Sequence, residues 1–377
     1  MTGLAVRAKV AGSSSGPSEC SSPPSVDDRV AVVGDARGDP EQECTSDVAR
    51  AWYADVGYVA KSPKPTSQSV LSLRSAPASC TTSAGDWIAI GANRARPILA
   101  GCEALDQIPG VFRSAARTID ISTKNVPDGV YRSVILAQAH RGVRVRLILP
   151  DPATLGRSKT EVLSDHERIA EFRSTPNVEV ALDRYPVSRW SSLSRPRNHS
   201  KLFVVDGGLG YFGSANLKER SENLDAGLLV KGPAATELEA IFEREWGRLH
   251  GTAGADAPNA RSESGLEILA GAKRGRSTLD EALRIIRGAE RSLTLAHMCL
   301  RNDAIVRALI EARRRKPTLE IRVLLNPATP TRRFGRKVAI STNASTFATL
   351  RKNDIDVRWP RSDVFLHAKL LMADRRI

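Results

Sequence analysis

The sequence is short of several features that would direct its interpretation. Aromatic residues make up only 5% of the 377 residues, too few for a surface built mainly of base-stacking platforms. The five cysteines are never spaced Cys-x-x-Cys, so neither a structural zinc site nor a disulfide scaffold is expected. No apolar run approaches the roughly 18 residues that cross a bilayer, and the first residues lack the apolar stretch of a secretory signal. We therefore expect a cytoplasmic protein.

Positive charge is concentrated in one part of the chain. Lys and Arg number 56 against 42 Asp and Glu, which gives a formal net charge of +14. Residues 1–95 hold 9 basic against 10 acidic residues, so the remainder carries +15. Residues 1–95 are also rich in Ser, Pro and Gly and have little helix or strand periodicity, which predicts a disordered or low-complexity extension. The basic remainder favours anionic partners.

From about residue 96 the sequence repeats itself. The tetrapeptide ILAG begins at Ile98 and again at Ile268, and each copy precedes a polar helical segment and an alternating strand. Both halves continue with a helix and a short apolar strand that ends at or near a proline. This order predicts an α/β fold with two similar lobes, each a mixed sheet flanked by helices. The predicted lobes span 96–250 and 266–377, with 251–265 as the linker.

Near its end each half carries a histidine and a lysine two residues apart on a predicted strand. The pairs are His199 with Lys201 and His367 with Lys369. Residues two apart on a strand point to the same face, so each histidine shares a face with its lysine. After Lys201 the segment FVVDGGLGYF predicts a hairpin. Its return strand can bring Ser214 and Asn216 back beside His199.

These residue types suit a phosphodiester. Ammonium groups and small polar side chains offset the charge of phosphate oxygens as a pentavalent transition state forms. One imidazole can attack phosphorus, and the other can protonate the leaving oxygen and then activate water or an alcohol. The chemistry calls for no metal and no cofactor.

The acidic residues near these pairs have more than one interpretation. Asp206 and Asp374 each follow the paired lysine by five residues. Asp206 opens an Asp-Gly turn, which favours a structural role. Asp225 can accept a hydrogen bond from the far nitrogen of His199 and fix its tautomer, or it can be a solvated acid at a strand end. His297 ends a strand, and the core or the rim of the site is its expected place.

At these residues the sequence resembles the phospholipase D superfamily, whose signature is His-x-Lys-x(4)-Asp with a trailing Gly-Ser-x-Asn. The resemblance covers about residues 97–377 and implies a two-lobed fold in which both motifs meet at one site. It implies that His199 and His367 are nucleophile and acid/base, and we expect His199 to be the nucleophile because its motif is complete. It further implies that Asp225 orients the histidine and that four residues bind phosphate, namely Lys201, Lys369, Ser214 and Asn216.

The second copy of the signature is shorter than the first. The sequence stops three residues after Asp374, where the family continues to a second Gly-Ser-x-Asn. We therefore expect an incomplete second lobe with an unpaired edge strand, and the sequence leaves open whether the chain as it stands is active.

Three functions remain open on this evidence. The first is a phosphodiesterase or phosphatidyltransferase that acts on phospholipids at an anionic membrane surface, as a peripheral protein. The second is an endonuclease with the same phosphohistidine chemistry on DNA or RNA. The third is an impaired relic that only binds anionic phosphodiesters. In each case we expect a monomer with pseudo-twofold lobes, and the net charge does not separate lipid from nucleic acid.

Overall fold

The computed structural model describes two α/β lobes and two short strands that precede them. The described residues are 4–8, 29–32, 87–99, 101–154, 158–183, 198–218, 223–252, 266–270, 278–327, 330–333, 336–339, 343–360 and 365–374. The two preceding strands are β1 (Leu4–Ala8) and β2 (Arg29–Val32). Among these residues no helix combines the length and the apolar character needed to cross a membrane.

The first lobe is built on an eight-stranded sheet in the order β3-β4-β11-β9-β8-β5-β6-β7. Its strands are β3 (Ile88–Ile90), β4 (Asn93–Ile98), β5 (Thr118–Thr123), β6 (Arg144–Pro150), β7 (Val178–Asp183), β8 (Lys201–Val205), β9 (Leu209–Gly213) and β11 (Gly227–Lys231). Its helices are α1 (Gly101–Arg113), α2 (Gly129–His140), α3 (Lys159–Ser174) and α4 (Pro233–Leu249), with a 3-10 turn at Pro152–Thr154. A two-residue strand, β10 (Asn223–Leu224), lies outside the large sheet.

The second lobe repeats the centre of this sheet in the order β17-β14-β13-β19-β2. Its strands are β12 (Leu266–Ala270), β13 (Ser292–His297), β14 (Glu320–Leu325), β15 (Pro330–Arg333), β16 (Arg336–Ala339), β17 (Asp356–Arg358), β18 (Phe365–Leu366) and β19 (Lys369–Ala373). Its helices are α5 (Thr278–Arg287), α6 (Asp303–Arg315) and α7 (Ala344–Lys352). The sequence prediction of two similar α/β lobes is confirmed.

Local sequence explains where the main elements begin and turn. Helix α3 begins with a capping box, in which the Ser158 hydroxyl and the Glu161 side chain satisfy each other's backbone N–H groups. The predicted hairpin is present, because β8 pairs antiparallel with β9 across the Asp-Gly-Gly turn. Strands β5, β6 and β8 are buried and adjacent, and aliphatic and aromatic side chains fill the space between this sheet and its helices. This rigid centre carries the residues of the first predicted motif.

The expected unpaired edge of the second lobe is not found. Strand β2 pairs antiparallel with β19 along Leu370–Ala373, in the position that β9 occupies beside β8 in the first lobe. Strand β1 pairs with β12 in the same antiparallel way. An open edge leaves a row of backbone groups without partners, and these short apolar segments satisfy them. They are strands where the sequence predicts disorder, and most of the predicted extension lies outside the described residues.

The pairing of β2 with β19 gives a direct test of the stability of the second lobe. Successive N–H groups of a strand point to opposite edges, so one of Val30 and Ala31 donates toward β19. We expect one of the variants Val30→Pro and Ala31→Pro to lower the free energy of unfolding by about 1–2 kcal/mol. Ala31→Ser, which keeps the N–H, is the control. Urea unfolding followed by circular dichroism measures the change, and equal stability of all variants would show that β2 contributes nothing.

Candidate active site

The two lobes meet where two short strands pair. Strand β10 of the first lobe lies parallel to β18 of the second, with Leu224 opposite Leu366. The carbonyl of Leu224 accepts hydrogen bonds from the backbone N–H groups of His367 at 3.0 Å and Ala368 at 2.9 Å. Buried Ala226, Leu366 and Ala368 form a small apolar cluster there. The second histidine motif is thereby fixed directly beside the chain that carries Asp225.

Asp225 binds the histidine of the opposite lobe. Its Oδ1 accepts hydrogen bonds from His367 Nδ1 at 2.8 Å and from the Ser214 hydroxyl at 2.7 Å. The expectation that Asp225 pairs with His199 is therefore wrong. Asp225 directly follows β10, and because β10 pairs with a strand of the second lobe, the carboxylate faces across the interface.

Ser214 has a different task from the one the sequence suggests. Its hydroxyl donates to Asp225 and accepts from the backbone N–H of Ala226 at 2.9 Å. It is buried, with 3% of its surface exposed. Its position indicates that it orients Asp225 and is not free to bind phosphate. Asn216, two residues on, is half-buried, and its Oδ1 has no partner among the described residues. Asn216 stays a candidate phosphate ligand.

The two lysines take equivalent positions in their lobes. Lys201 Nζ donates to the carbonyl of His199 at 3.0 Å, and Lys369 Nζ donates to the carbonyl of His367 at 3.0 Å. Both side chains are buried, with 6% and 5% of their surfaces exposed. Lys201 Nζ also lies 3.0 Å from His199 Nδ1. Each ammonium is thus held against the backbone of its own histidine.

These contacts set different tautomers for the two rings. An ammonium only donates, so Nδ1 of His199 accepts and the proton of the neutral ring is on Nε2. In His367 the carboxylate of Asp225 holds a proton on Nδ1, which leaves the lone pair on Nε2. The neighbours of Nδ1 therefore differ, although the two motifs share the same sequence.

Electrostatics show that the two motifs form one cluster. Burial lowers the pKa of His199 well below its usual value, and the positive charges of Lys201, Lys124 and Lys369 lower it further. Burial also lowers the pKa of His367, to about 4; Lys369 adds to this and Asp225 opposes it. Burial acts to raise the pKa of Asp225, but the hydrogen bonds from His367 and Ser214 and the charges of His367 and Lys369 together outweigh it, so that pKa is lowered. Groups of both lobes act on each histidine, so the two motifs lie together.

Lys124 is a member of this cluster that sequence reasoning missed. It follows the end of β5, and its backbone N–H donates to the Ser200 carbonyl at 3.0 Å, which ties it to the first motif. A polar segment at the end of a central strand is the signal that could have found it. Among the described residues no group of three or more His, Cys, Asp or Glu side chains is arranged to hold a metal ion.

The aspartates of the two motifs lie at turns. The carboxylate of Asp206 accepts hydrogen bonds from the backbone N–H groups of Ala116, Arg117 and Thr118 at 2.7–2.8 Å. Asp374 binds the N–H groups at the start of β13 in the same way. Both have a left-handed backbone, with φ of 50° and 52°. Each aspartate anchors the strand next to its motif.

Alanine at Asp206 tests this anchoring role. Asp206→Ala removes three charge-assisted hydrogen bonds and adds strain at positive φ. Asp354→Ala adds the same strain, since Asp354 has φ of 54°, but its carboxylate makes no such contact in the described part of the chain. We expect Asp206→Ala to be less stable than Asp354→Ala by about 2 kcal/mol in urea unfolding. Equal losses would mean that the hydrogen bonds of Asp206 contribute little.

Comparisons with known proteins identify the family of the chain. Residues 110–246 and 282–377 match the family model described as cardiolipin synthase, PLD-like domain. A cardiolipin synthase of Alkalihalophilus pseudofirmus is 23% identical over 267 residues, which cover 65% of this chain and 50% of the relative. Cardiolipin synthase C of Escherichia coli is 32% identical over 123 residues, 30% of this chain and 26% of the relative. The chain spans about half the length of the first of these relatives.

Solved structures give weaker likenesses. NucT from Helicobacter pylori aligns with a TM-score of 0.33 and 16% identity, covering 40% of this chain and 94% of that protein. Polyphosphate kinase from Porphyromonas gingivalis aligns with a TM-score of 0.44 and 14% identity, covering 74% of this chain and 43% of that one. The family match is the stronger finding, because it includes both lobes and well over half of the residues. The chain belongs to the phospholipase D superfamily, in the family of cardiolipin synthase PLD-like domains.

Proposed function

We propose that this chain is a phosphodiesterase or phosphatidyltransferase of phospholipase D type that acts on phospholipids through a phosphohistidine. The observation that carries the proposal is the meeting of two histidines from different lobes within one buried, positively charged cluster. The negative charge of a bound phosphodiester would balance the positive charge of this cluster. The relatives named as cardiolipin synthases support a lipid substrate over a nucleic acid.

His199 is the better nucleophile of the pair. A nucleophile needs an uncharged ring, and burial together with three lysines keeps His199 neutral. Attack through Nε2 requires the proton to move to Nδ1, which Lys201 now occupies. The oxygens of a bound phosphate would draw this ammonium away and allow that change. The Nε2–phosphorus bond then forms as the bond from phosphorus to the leaving oxygen breaks.

His367 is the better acid and base. It must alternate between charged and neutral forms, and Asp225 stabilises the imidazolium while fixing the ring. The negative charge of a bound phosphodiester raises the pKa of His367, so substrate binding favours its protonation. His367 gives its proton to the leaving alcohol. It then takes a proton from water or an acceptor alcohol, whose oxygen displaces His199 from phosphorus.

Substitution of the histidines tests both the substrate and the order of events. His199→Ala and His367→Ala should each lower turnover of phosphatidylglycerol vesicles at least about 1000-fold. His166→Ala, on the exposed side of α3, is the control. Reactions with phosphorus-labelled lipid, quenched in alkali because the N–P bond of a phosphohistidine is acid-labile, should give a labelled peptide that contains His199.

Three results would contradict the proposal in different ways. Label on a peptide containing His367 would reverse the assignment of the two histidines. Cleavage of plasmid DNA but not of lipid, lost in His199→Ala, would make the chain a nuclease. Absence of turnover on both substrates, with chelator present and absent, would favour a binding protein without catalysis.

The pH dependence of kcat/KM follows from the lowered pKa of His367. The quantity reports the free protein, in which His367 has a pKa of about 4 and must be protonated to act as the acid. We expect log kcat/KM to fall by about one unit per pH unit as the pH rises from about 5 to 7.

Asp225→Asn removes a charge that raises the pKa of His367, so this descending limb should move to lower pH. Ser214→Ala, which leaves the carboxylate in place, should move it less. A flat profile between pH 5 and 7 would exclude His367 as the acid.

A further inference from the structure

A third histidine lies on the same face of the sheet as the second motif. His297 ends β13, and its register partner on β19 is Lys369. Side chains directly opposite each other on antiparallel strands share a face, with their Cβ atoms about 5 Å apart. In the first lobe the equivalent register position opposite Lys201 is held by Thr123. The two halves of the site are therefore unlike at this position.

The hydrogen bonds of His297 leave one nitrogen available as a donor. Its Nδ1 accepts from the backbone N–H of Cys299 at 3.1 Å, so the proton of the neutral ring is on Nε2. The next residue ties this turn to the second motif, because Met298 N–H donates to the Ala368 carbonyl at 3.2 Å. The ring is half-buried, and the described residues offer Nε2 no partner. Thr123, by contrast, is fully buried.

The charge state of His297 separates it from the lysines. Burial lowers its pKa to about 3, and the charge of Lys369 contributes. His297 is therefore a neutral donor beside cations that already suit phosphate oxygens. A neutral N–H matches an uncharged acceptor, such as the oxygen of a hydroxyl group.

In the proposed reaction the alcohol lies on the side of phosphorus that faces the second lobe. In-line displacement sets the nucleophile and the leaving oxygen on opposite sides of phosphorus. With His199 of the first lobe as nucleophile, the leaving alcohol and the acceptor that replaces it both lie toward His367 of the second lobe. His297 shares that lobe and the face of Lys369.

We propose that His297 forms the alcohol subsite of this active site, where its Nε2–H binds a hydroxyl oxygen of a glycerol-type leaving group or acceptor. The inference rests on the proposed function and adds a group that distinguishes a polyol from water. His297 acts by holding the alcohol beside His367, and the bonds made and broken at phosphorus are unchanged.

Binding of two small phosphates tests the subsite without turnover. Calorimetry compares the Kd of sn-glycerol 3-phosphate with that of inorganic phosphate in the full chain. His297→Phe keeps a planar ring and loses the donor, and it should weaken glycerol 3-phosphate about fivefold to tenfold while phosphate binding is unchanged. His297→Gln, whose amide can donate, should bind within about twofold of wild type. Thr294→Val, on the other face of β13, is the control.

A second measurement follows the fate of the phosphoryl group. On phosphatidylglycerol vesicles with added isotopically labelled glycerol, transfer gives labelled phosphatidylglycerol and hydrolysis gives phosphatidic acid. His297→Phe should lower the ratio of the first product to the second about fivefold to tenfold. The sum of the two products should change far less. His297→Gln should recover most of the ratio.

The two measurements separate failure of the subsite from failure of the proposed function. An unchanged preference for glycerol 3-phosphate in His297→Phe would overturn the subsite, as would an equal loss of affinity for both phosphates. A wild-type chain that turns over neither lipid nor DNA, yet loses this preference in His297→Phe, would refute the proposed function and leave the subsite standing.

Discussion

The hydrogen bond between Asp225 and His367 is the contact on which the site depends. It joins the two lobes, sets the tautomer of one histidine and is itself held by Ser214. Both partners are buried, so removal of either would take a hydrogen bond from the other in a poorly solvated place. Docking of the two lobes therefore also determines which nitrogen of His367 carries the proton. A change at the β10–β18 junction should alter this proton as well as the stability of the protein.

The buried side chains around that hydrogen bond carry more positive than negative charge. Lys201 and Lys369 are buried against carbonyl oxygens, which offset only part of the desolvation of an ammonium. Both histidines stay neutral because burial, and after it the charge of the same lysines, opposes their protonation. A cluster of this kind gains most from an anion that arrives with several oxygens. Under the proposed function, selectivity for phosphodiesters would come from charges held in place before the ligand binds.

The sequence was sufficient for the local parts of this arrangement. The repeat predicts two similar lobes, the two-residue spacing places His199 and Lys201 on one face, and Asp-Gly-Gly predicts the β8–β9 hairpin. The sequence did not predict the contacts between segments that are far apart in the chain. Asp225 stood out as an acid near the motif, but its partner is set by lobe docking, which no local pattern encodes. Strand β2 was missed for the same reason, since its pairing with β19 joins segments far apart in the sequence.

That pairing has a consequence for how the protein is made. A ribosome releases β2 long before β19, and all of the chain between them must be synthesised before the two can meet. During that interval β2 is an apolar segment without a strand partner. Its docking is slow because it requires the closure of a long loop of chain. The sheet of the second lobe is therefore expected to be completed late in folding. Chaperones that bind extended apolar segments would act on this chain at β2.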